Sequence, residues 1–589
     1  MRELRALLPF VRPYRGTFAA GLAMVLISNW FAIRAPGYLE RGIDALRAGG
    51  SLGSVSRYAL LLVGVALISG VARYFMRDIL NSVSRRIETD LRNVLYDHVQ
   101  QMPAEFYDRF ATGDIMARAT NDLLAVRMVA GPALMYVIDT IIRAALILPP
   151  MLHISSRLTG LALLPLVGLP VAMVVLGQRI HRRTLEIQTQ FGELTNFVHE
   201  NLSGVRVVRA YRQERAEGEA FRGLNDDYRQ RNLALAKVQG VFFPIFSLFG
   251  GLGAVAILYV GGNLVLAGTV SVGAFVAFGV YLAMLVWPMI ALGWAINLVQ
   301  RGSGAMARIN QIFREQPTIV SPGTPAALPP GTGARGLAAE GVWFRYPNAP
   351  ERGWVLEDIS FHLAPGRSLA IVGATGAGKT TLVDLLVRTY DPDRGRILID
   401  SVDIRTLSLD ELRRAIGFVP QETFLFSQTL RENVLLGAPD DGRLERVAET
   451  SQLASALSDL PRGFDTMLGE RGINLSGGQK QRAAIARSLA QDPPIFVLDD
   501  ALSAVDAQTE AKILAGLRGA LAGRTSIIVS HRLTAVREAD WILVLDSGRL
   551  IEQGTHEELV ARGGRYWELL RRQQLEEELE TADSVNGKR

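Results

Sequence analysis

The sequence predicts an α-helical membrane domain of six spans with long helical extensions into the cytoplasm, followed by an α/β domain. Three observations carry this. The chain has 589 residues, too many for one domain, and 49% of them are hydrophobic. Its first half holds six apolar stretches of roughly 20 residues, each able at about 1.5 Å per residue to cross a hydrocarbon core of roughly 30 Å. Its second half holds Gly373-Ala374-Thr375-Gly376-Ala377-Gly378-Lys379-Thr380, a complete G-x-x-x-x-G-K-[ST] loop. A strand-like run, Ser368 to Val372, precedes that loop, and a helix-like run, Thr380 to Val387, follows it.

Taken in order, the first segment is Met1 to Gly16. It carries Arg2, Arg5, Arg12 and Arg15 and lacks a signal-cleavage pattern, so an interfacial helix leading into the first span is expected. The spans fall near residues 17–37, 58–80, 131–153, 157–178, 241–266 and 271–297. The gaps after the second and fourth spans run to about 50 residues or slightly more and are rich in arginine, including Arg85, Arg86 and Arg118 in one and Arg206, Arg209 and Arg212 in the other. Both gaps and both chain ends are therefore expected in the cytoplasm. Leu, Val, Ile and Phe recur at helical spacing in the gaps, which predicts that spans two to five continue as helices beyond the bilayer. A separate helical domain in each gap is the alternative. Turns near Thr112-Gly113-Asp114 and from Tyr211 to Glu217 are the candidates for touching a second domain.

Polar groups inside spans need a reason. Asp139 and Arg143 lie four apart on one face of the third span, where they either pair with each other or line a polar cavity. Trp287, Pro288 and Trp294 in the sixth span are either pocket-lining or packing and kink residues. The net charge of +5 is modest and resides in scattered arginines, which does not describe a nucleic-acid surface. Cysteine is absent, which excludes disulfides and thiolate metal sites.

Residues 316–336, rich in Pro, Gly, Thr and Ala, read as a linker, and 1–315 as the membrane domain before it. From 337 to 575 strand-like and helix-like runs alternate. A tail, 576–589, is expected to fray. Within the α/β part, Gly373 to Gly378 let the backbone wrap phosphate oxygens, and the helix that follows adds the positive end of its dipole. Lys379 can reach the β- and γ-phosphates, Thr380 can offer its hydroxyl to Mg²⁺, and Thr381 continues the nucleotide contact. Tyr346, ahead of the loop, either stacks on adenine or packs in a sheet. Gln421 is placed to touch Mg²⁺ and the attacking water. Leu475-Ser476-Gly477-Gly478-Gln479 opens a helix and makes an anion-binding start. Ile495 to Asp499 is an apolar strand ending in a carboxylate suited to metal. Ser503 and Asp506 follow it, and His531 ends another strand where a γ-phosphate contact is expected.

An LSGGQ sequence between a phosphate loop and an apolar strand ending in Asp resembles the ATP-binding cassette superfamily. The six-span arrangement ahead of it is similar to ABC exporter half-transporters of the multidrug and TAP-like type. Phe106 to Asp114 and Ser203 to Val208 resemble the same family, and the likeness runs from about Leu7 to Leu570. The resemblance implies an ATP hydrolase coupled to transport, with ATP and Mg²⁺ as cofactors. It implies a dimer in which each phosphate loop faces the other subunit's LSGGQ, with Leu475 to Gln479 serving the partner's ATP and Ser503 and Asp506 forming the D-loop. It also implies coupling through Thr112, Gly113, Asp114 and Tyr211, and a place in a bacterial inner membrane.

One position departs from the pattern. The family's usual general base after the strand carboxylate is Glu, and here it is Asp500. Asp is one methylene shorter, and a base must lie within about 2.6–3.2 Å of its proton. This Asp resembles the degenerate-site subunit of heterodimeric bacterial exporters, which implies a homologous partner carrying Glu. A homodimeric drug or lipid flippase, and a non-transporting membrane ATPase, are the alternatives. Drugs, lipids or peptides of apolar or amphipathic character all suit a mostly apolar cavity.

Overall fold

The computed structural model describes residues 3–331, 333–532 and 536–586. The chain divides into two compact units. The first comprises Met1–Gln100 and Thr112–Glu315, and the second Gln101–Ala111 and Gln316–Arg589.

The first unit is helical throughout. Its longest helices are Leu52–Gln100, Ser156–Ser203 and Val272–Arg314, of 49, 48 and 43 residues. At 1.5 Å per residue the first is about 74 Å long, more than twice the thickness of a hydrocarbon core. It therefore runs unbroken from an apolar stretch into an arginine-rich one, as the helical spacing in the gap predicts. Among the described residues, five helices are long and apolar enough to cross a membrane, where the sequence reading counts six. The fourth expected span, 157–178, lies in Ser156–Ser203, and several of its side chains fall outside the described residues. The fifth is interrupted by a wide π-helical turn, Ile257–Gly261.

Small residues let these helices approach closely. A β-carbon on Gly302 would sit 2.1 Å from Val129 Cγ2. Polar groups inside the bundle are paired. Asn29, fully buried, donates to Asp139 Oδ1 at 2.7 Å and accepts from Arg143 Nε at 3.0 Å. Arg143 also meets Asp139 at 3.4 Å. Asp139 and Arg143 are thus members of a three-residue network that includes Asn29, and Thr140 adds a hydrogen bond to the Pro288 carbonyl at 3.2 Å.

The second unit is built on two sheets. The antiparallel one has the order β2-β1-β4-β5, from β1 (Leu337–Phe344), β2 (Leu356–Leu363), β4 (Arg394–Ile399) and β5 (Val402–Asp403). The other has the order β10-β9-β3-β8-β7-β6. Its strands are β3 (Ser368–Gly373), β6 (Ile416–Val419), β7 (Ile495–Asp499), β8 (Thr525–Val529), β9 (Trp541–Asp546) and β10 (Arg549–Gly554). All pair in parallel except β10 with β9. Parallel strands buried on both faces must be apolar throughout, and β7 (Ile-Phe-Val-Leu-Asp) is buried at every position.

This strand order brings four sequence motifs to one edge. The phosphate loop follows β3, Gln421 follows β6, Asp499 and Asp500 end β7, and His531 follows β8. Ligands of open α/β sheets bind at that carboxyl edge. The stretch 316–336 has no regular strand or helix among its described residues, yet it is tied down: Ala326 N–H donates to the Thr406 carbonyl and Arg335 pairs with Asp400 at 2.8 Å. The last helix, Arg565–Asn586, continues through most of the stretch expected to fray, and 587–589 lie outside the described residues.

Candidate active site

The phosphate loop is a turn that only glycine can make. Gly376 and Gly378 have φ of +83° and +95°, and a β-carbon on Gly378 would come 2.7 Å from Leu356 Cδ2. Ala374, Thr375, Gly376 and Thr380 are exposed, whereas Ala377 and Lys379 are buried. Lys379 opens the helix Lys379–Leu386, and its Nζ donates to the carbonyls of Gly373 and Ala374, both at 2.9 Å. The ammonium thus lies within the loop. Burial lowers its pKa, and the charges of Asp500 and Asp499 oppose that shift.

Asp499 is 1% exposed, and its Oδ1 has no hydrogen-bond partner among the described residues. Burial raises its pKa, opposed by a hydrogen bond from Thr380 and reinforced by Asp500. An orphaned carboxylate oxygen beside an exposed threonine hydroxyl, at the mouth of a glycine cradle, fits a nucleotide carrying Mg²⁺. Thr380 and Asp499 are the residues that would hold the ion. Among the described residues no group of three or more His, Cys, Asp or Glu could hold a metal by itself. A metal here would take its remaining ligands from phosphate oxygens and water.

Asp500 has a left-handed backbone, φ +46°, uncommon for a residue other than glycine. Its N–H donates to the Val529 carbonyl at 2.9 Å, which ties it to β8. Gln421 and His531 are both exposed at the same edge. Tyr346 is half-buried; its hydroxyl shares a hydrogen bond with Thr381 Oγ1 at 2.9 Å. Its ring meets Phe344 and Tyr390 edge to face, with centroids 5.1 and 5.5 Å apart. Sheet packing and a half-open ring therefore coexist at this tyrosine.

The LSGGQ segment is built differently. Leu475 is buried and anchors it. Ser476 caps the helix Gly477–Ala490 in a reciprocal capping box: its hydroxyl accepts from Gln479 N at 3.3 Å, and Gln479 Oε1 accepts from Ser476 N at 2.9 Å. Gly477 is exposed, and a β-carbon there meets nothing closer than 3.4 Å. At Gly478 a β-carbon would press on the Ala504 carbonyl at 3.0 Å.

Sequence reasoning passed over the residues that hold these parts together. Gln481, 5% exposed, donates to Ser503 Oγ at 3.1 Å and accepts from Ala504 N at 3.0 Å, which fixes the D-loop to the signature helix. Its place two residues beyond LSGGQ was the available signal. Ser503 Oγ also donates to the Asp500 carbonyl at 3.0 Å, and Asp506 caps the next helix through Thr509 N at 2.9 Å. Arg532, next to His531, pairs with Glu510 and donates to the Val505 carbonyl at 3.3 Å. Asp384, on the helix after the loop, has its pKa pushed up to about 6, first by burial, then by Asp499 and Asp108.

The other expected positions lie in the first unit. Thr112, Gly113 and Asp114 are exposed, and Asp114 pairs with Arg118 at 2.7 Å. Tyr211 is 73% exposed at the end of the helix Val205–Ala210. Trp287 is exposed, and Trp294 packs on Tyr136 with ring centroids 5.2 Å apart.

Comparison with known proteins agrees with this geometry. Residues 18–289 match the family model of the ABC transporter transmembrane region, and residues 356–503 match that of the ABC transporter. The chain is 38% identical over 96% of its length, and 97% of the relative's, to a probable multidrug resistance ABC transporter ATP-binding/permease protein, YheI of Bacillus subtilis. It is 36% identical over 90% of its length, and 89% of the relative's, to the multidrug resistance-like ATP-binding protein MdlA of Escherichia coli. It is 32% identical over 97% of its length, and 94% of the relative's, to an ATP-dependent lipid A-core flippase of Syntrophus aciditrophicus. The solved structure of a bacterial Atm1-family ABC exporter with ATP bound superposes with a TM-score of 0.78 at 28% identity, covering 95% of this chain and 99% of that one. With the transmembrane region and the ATPase in one polypeptide, the chain belongs to the ABC transporters, as a half-transporter of the exporter type.

Proposed function

We propose that this chain is one half of a heterodimeric, ATP-driven exporter of hydrophobic or amphipathic molecules, with two unequal ATP sites. The observation that carries the asymmetry is Asp500, a shorter carboxylate on a left-handed backbone pinned to β8, in a chain whose Ser476-Gly477 surface is intact and exposed. In this reading the weak site uses Lys379, Thr380, Asp499 and Asp500 of this chain. The strong site uses the phosphate loop and Glu of a homologous partner, completed by Ser476 and Gly477 here. Thr380, Asp499 and Gln421 would hold Mg²⁺, which when bound would supply neutralisation of the charge on the transferring phosphoryl group. Tyr346 takes the adenine, and His531 meets the γ-phosphate. The names of the relatives support drugs or lipids as the transported class.

Steady-state ATP turnover in proteoliposomes tests this. The chain alone is expected to hydrolyse slowly, and the chain with its partner quickly. Asp500→Asn is expected to change turnover of the mixed dimer by less than about threefold, since misplacement near 1 Å already costs about a hundredfold. Rapid hydrolysis by the chain alone, abolished by Asp500→Asn, would establish instead the homodimeric reading, which the phosphate loop, Asp499 and LSGGQ present together on this one chain favour. ATP turnover without vectorial movement of a lipid or dye would point to a non-transporting ATPase.

Six spans with both ends and the arginine-rich arms in the cytoplasm complete the proposal. The exposed Gly49-Gly50 turn then faces outward. A protease site inserted there should be cut only from the extracytoplasmic side; cutting from within would reject that topology.

A further inference from the structure

The segment Gln101–Ala111 belongs to the nucleotide-binding unit although the chain leaves and re-enters the other unit on either side of it. Two side chains hold its helix, Ala104–Arg109, from the polar side. Asn348 Nδ2 donates to the Glu105 carbonyl at 3.1 Å, and the Tyr390 hydroxyl donates to Asp108 Oδ2 at 2.9 Å. Glu105 and Asp108 are three apart and so share one helix face. Both holding residues lead to the same place. Asn348 is two residues beyond Tyr346, and the Tyr390 ring meets the Tyr346 ring edge to face at 5.5 Å and 90°. Phe344, 2% exposed, backs both rings, at 5.1 Å from Tyr346 and 5.5 Å from Tyr390.

We propose that Tyr390 is a positioning residue that passes adenine occupancy at Tyr346 to the segment Gln101–Ala111 through its hydrogen bond to Asp108, with Asn348 as a second, parallel link. The proposal rests on the reading that Tyr346 takes the adenine. Phe344 is fixed in the core, so a rotation or shift of the Tyr346 ring toward a base cannot be absorbed on that side. It is taken up by the Tyr390 ring, whose hydroxyl is tethered to Asp108, and by the short run to Asn348. Tyr390 keeps its proton at any working pH, because burial and the Asp108 carboxylate both raise its pKa. It therefore remains a donor throughout the cycle.

The test is hydrogen exchange at the amides of residues 101–111 in the purified, detergent-solubilised transporter. It is measured with Mg²⁺ and a non-hydrolysable ATP analogue, and again with Mg²⁺ and tripolyphosphate. Tripolyphosphate fills the phosphate loop but carries no base. The analogue is expected to slow exchange in this segment at least about fivefold more than tripolyphosphate does. Tyr390→Phe keeps the ring and removes the tether. It should leave analogue affinity within about twofold, cut the nucleotide-dependent protection at least fivefold, and lower transport per ATP by a similar factor. Asp108→Asn, an exposed change that spares the aromatic cluster, provides the second variant. It should act in the same direction, and the double variant should be no worse than either single one. Equal protection by the two ligands, or protection unchanged in Tyr390→Phe, would overturn the proposal. Absence of transport in the unmodified protein would reject the exporter reading but leave the exchange experiment decisive.

Discussion

The phosphate loop and the LSGGQ tip lie in one unit and face their ligands in opposite ways. The loop is closed upon itself. Its lysine is held by the loop's own carbonyls, its glycines have conformations or neighbours that forbid a side chain, and its carboxylate is buried with one oxygen orphaned. The LSGGQ tip is stiff but open. A capping box settles the helix start internally, Leu475 anchors it, and a β-carbon on exposed Gly477 would make only an ordinary contact with Ala504. In the proposed dimer so braced and exposed a surface would meet another surface, whereas the loop would enclose a ligand. The same glycine-rich chemistry thus serves capture in one place and presentation in the other.

Two substitutions separate these roles, and they carry the largest expected effects. Gly378→Val forces a branched side chain into φ +95° against Leu356. It should abolish nucleotide binding at this chain's own loop and lower the melting temperature. Gly477→Asp has room for its β-carbon, so folding and own-loop binding should persist. In the proposed dimer it would set a negative charge beside the partner's γ-phosphate, and turnover should fall by about 100-fold or more. Equal loss of own-loop binding in both variants would erase the distinction.

A smaller effect is expected at the joint between the signature helix and the D-loop. Gln481→Ala removes two hydrogen bonds, each worth about 0.5–1.5 kcal/mol. It should reduce turnover about tenfold while nucleotide affinity at the phosphate loop stays within about twofold. A fall in affinity as large as the fall in turnover would mean that Gln481 supports the loop as well.

The smallest effect concerns the buried carboxylate behind the loop. Asp384 has a pKa of about 6, above that of the unfolded chain. Its protonated form favours the fold, so its contribution is full below about pH 4 and is lost as pH rises through about 6. Asp384→Asn removes that loss. It should stabilise the protein near pH 7 by about 1–2 kcal/mol, allowing for its partial solvent access, and flatten thermal stability between about pH 4 and 6. An unchanged pH profile would remove Asp384 as the source.

The motifs in contiguous sequence were legible because their chemistry is local. Gly373 to Thr380, Leu475 to Gln479 and Asp499 each have a residue pattern that a phosphate or metal requires. The apolar helices were legible for a similar reason, since hydrocarbon thickness sets their length. Residues that work across long sequence distances were not. Asn29 satisfies Asp139 and Arg143 from 110 and 114 positions away, and no spacing rule announces it. Gln481 was two residues from a recognised motif, yet only the fold shows that its amide faces the D-loop. The turn singled out for coupling lies across a unit boundary from the stretch that precedes it. Thr112 to Asp114 open a helix of the first unit, and the stretch just before them, Gln101–Ala111, is the part that joins the second.

That boundary has a consequence for biogenesis. Residues 101–111 are synthesised long before the partners they pack with: Asn348 follows Glu105 by 243 positions, and Tyr390 follows Asp108 by 282. At about 5–20 residues per second, the segment waits roughly 12 to 55 seconds on the ribosome before its hydrogen-bond partners exist. During that interval Glu105 and Asp108 have neither Asn348 nor Tyr390. Residues 101–111, though encoded in the first half of the chain, therefore complete these hydrogen bonds only once the second half has been translated.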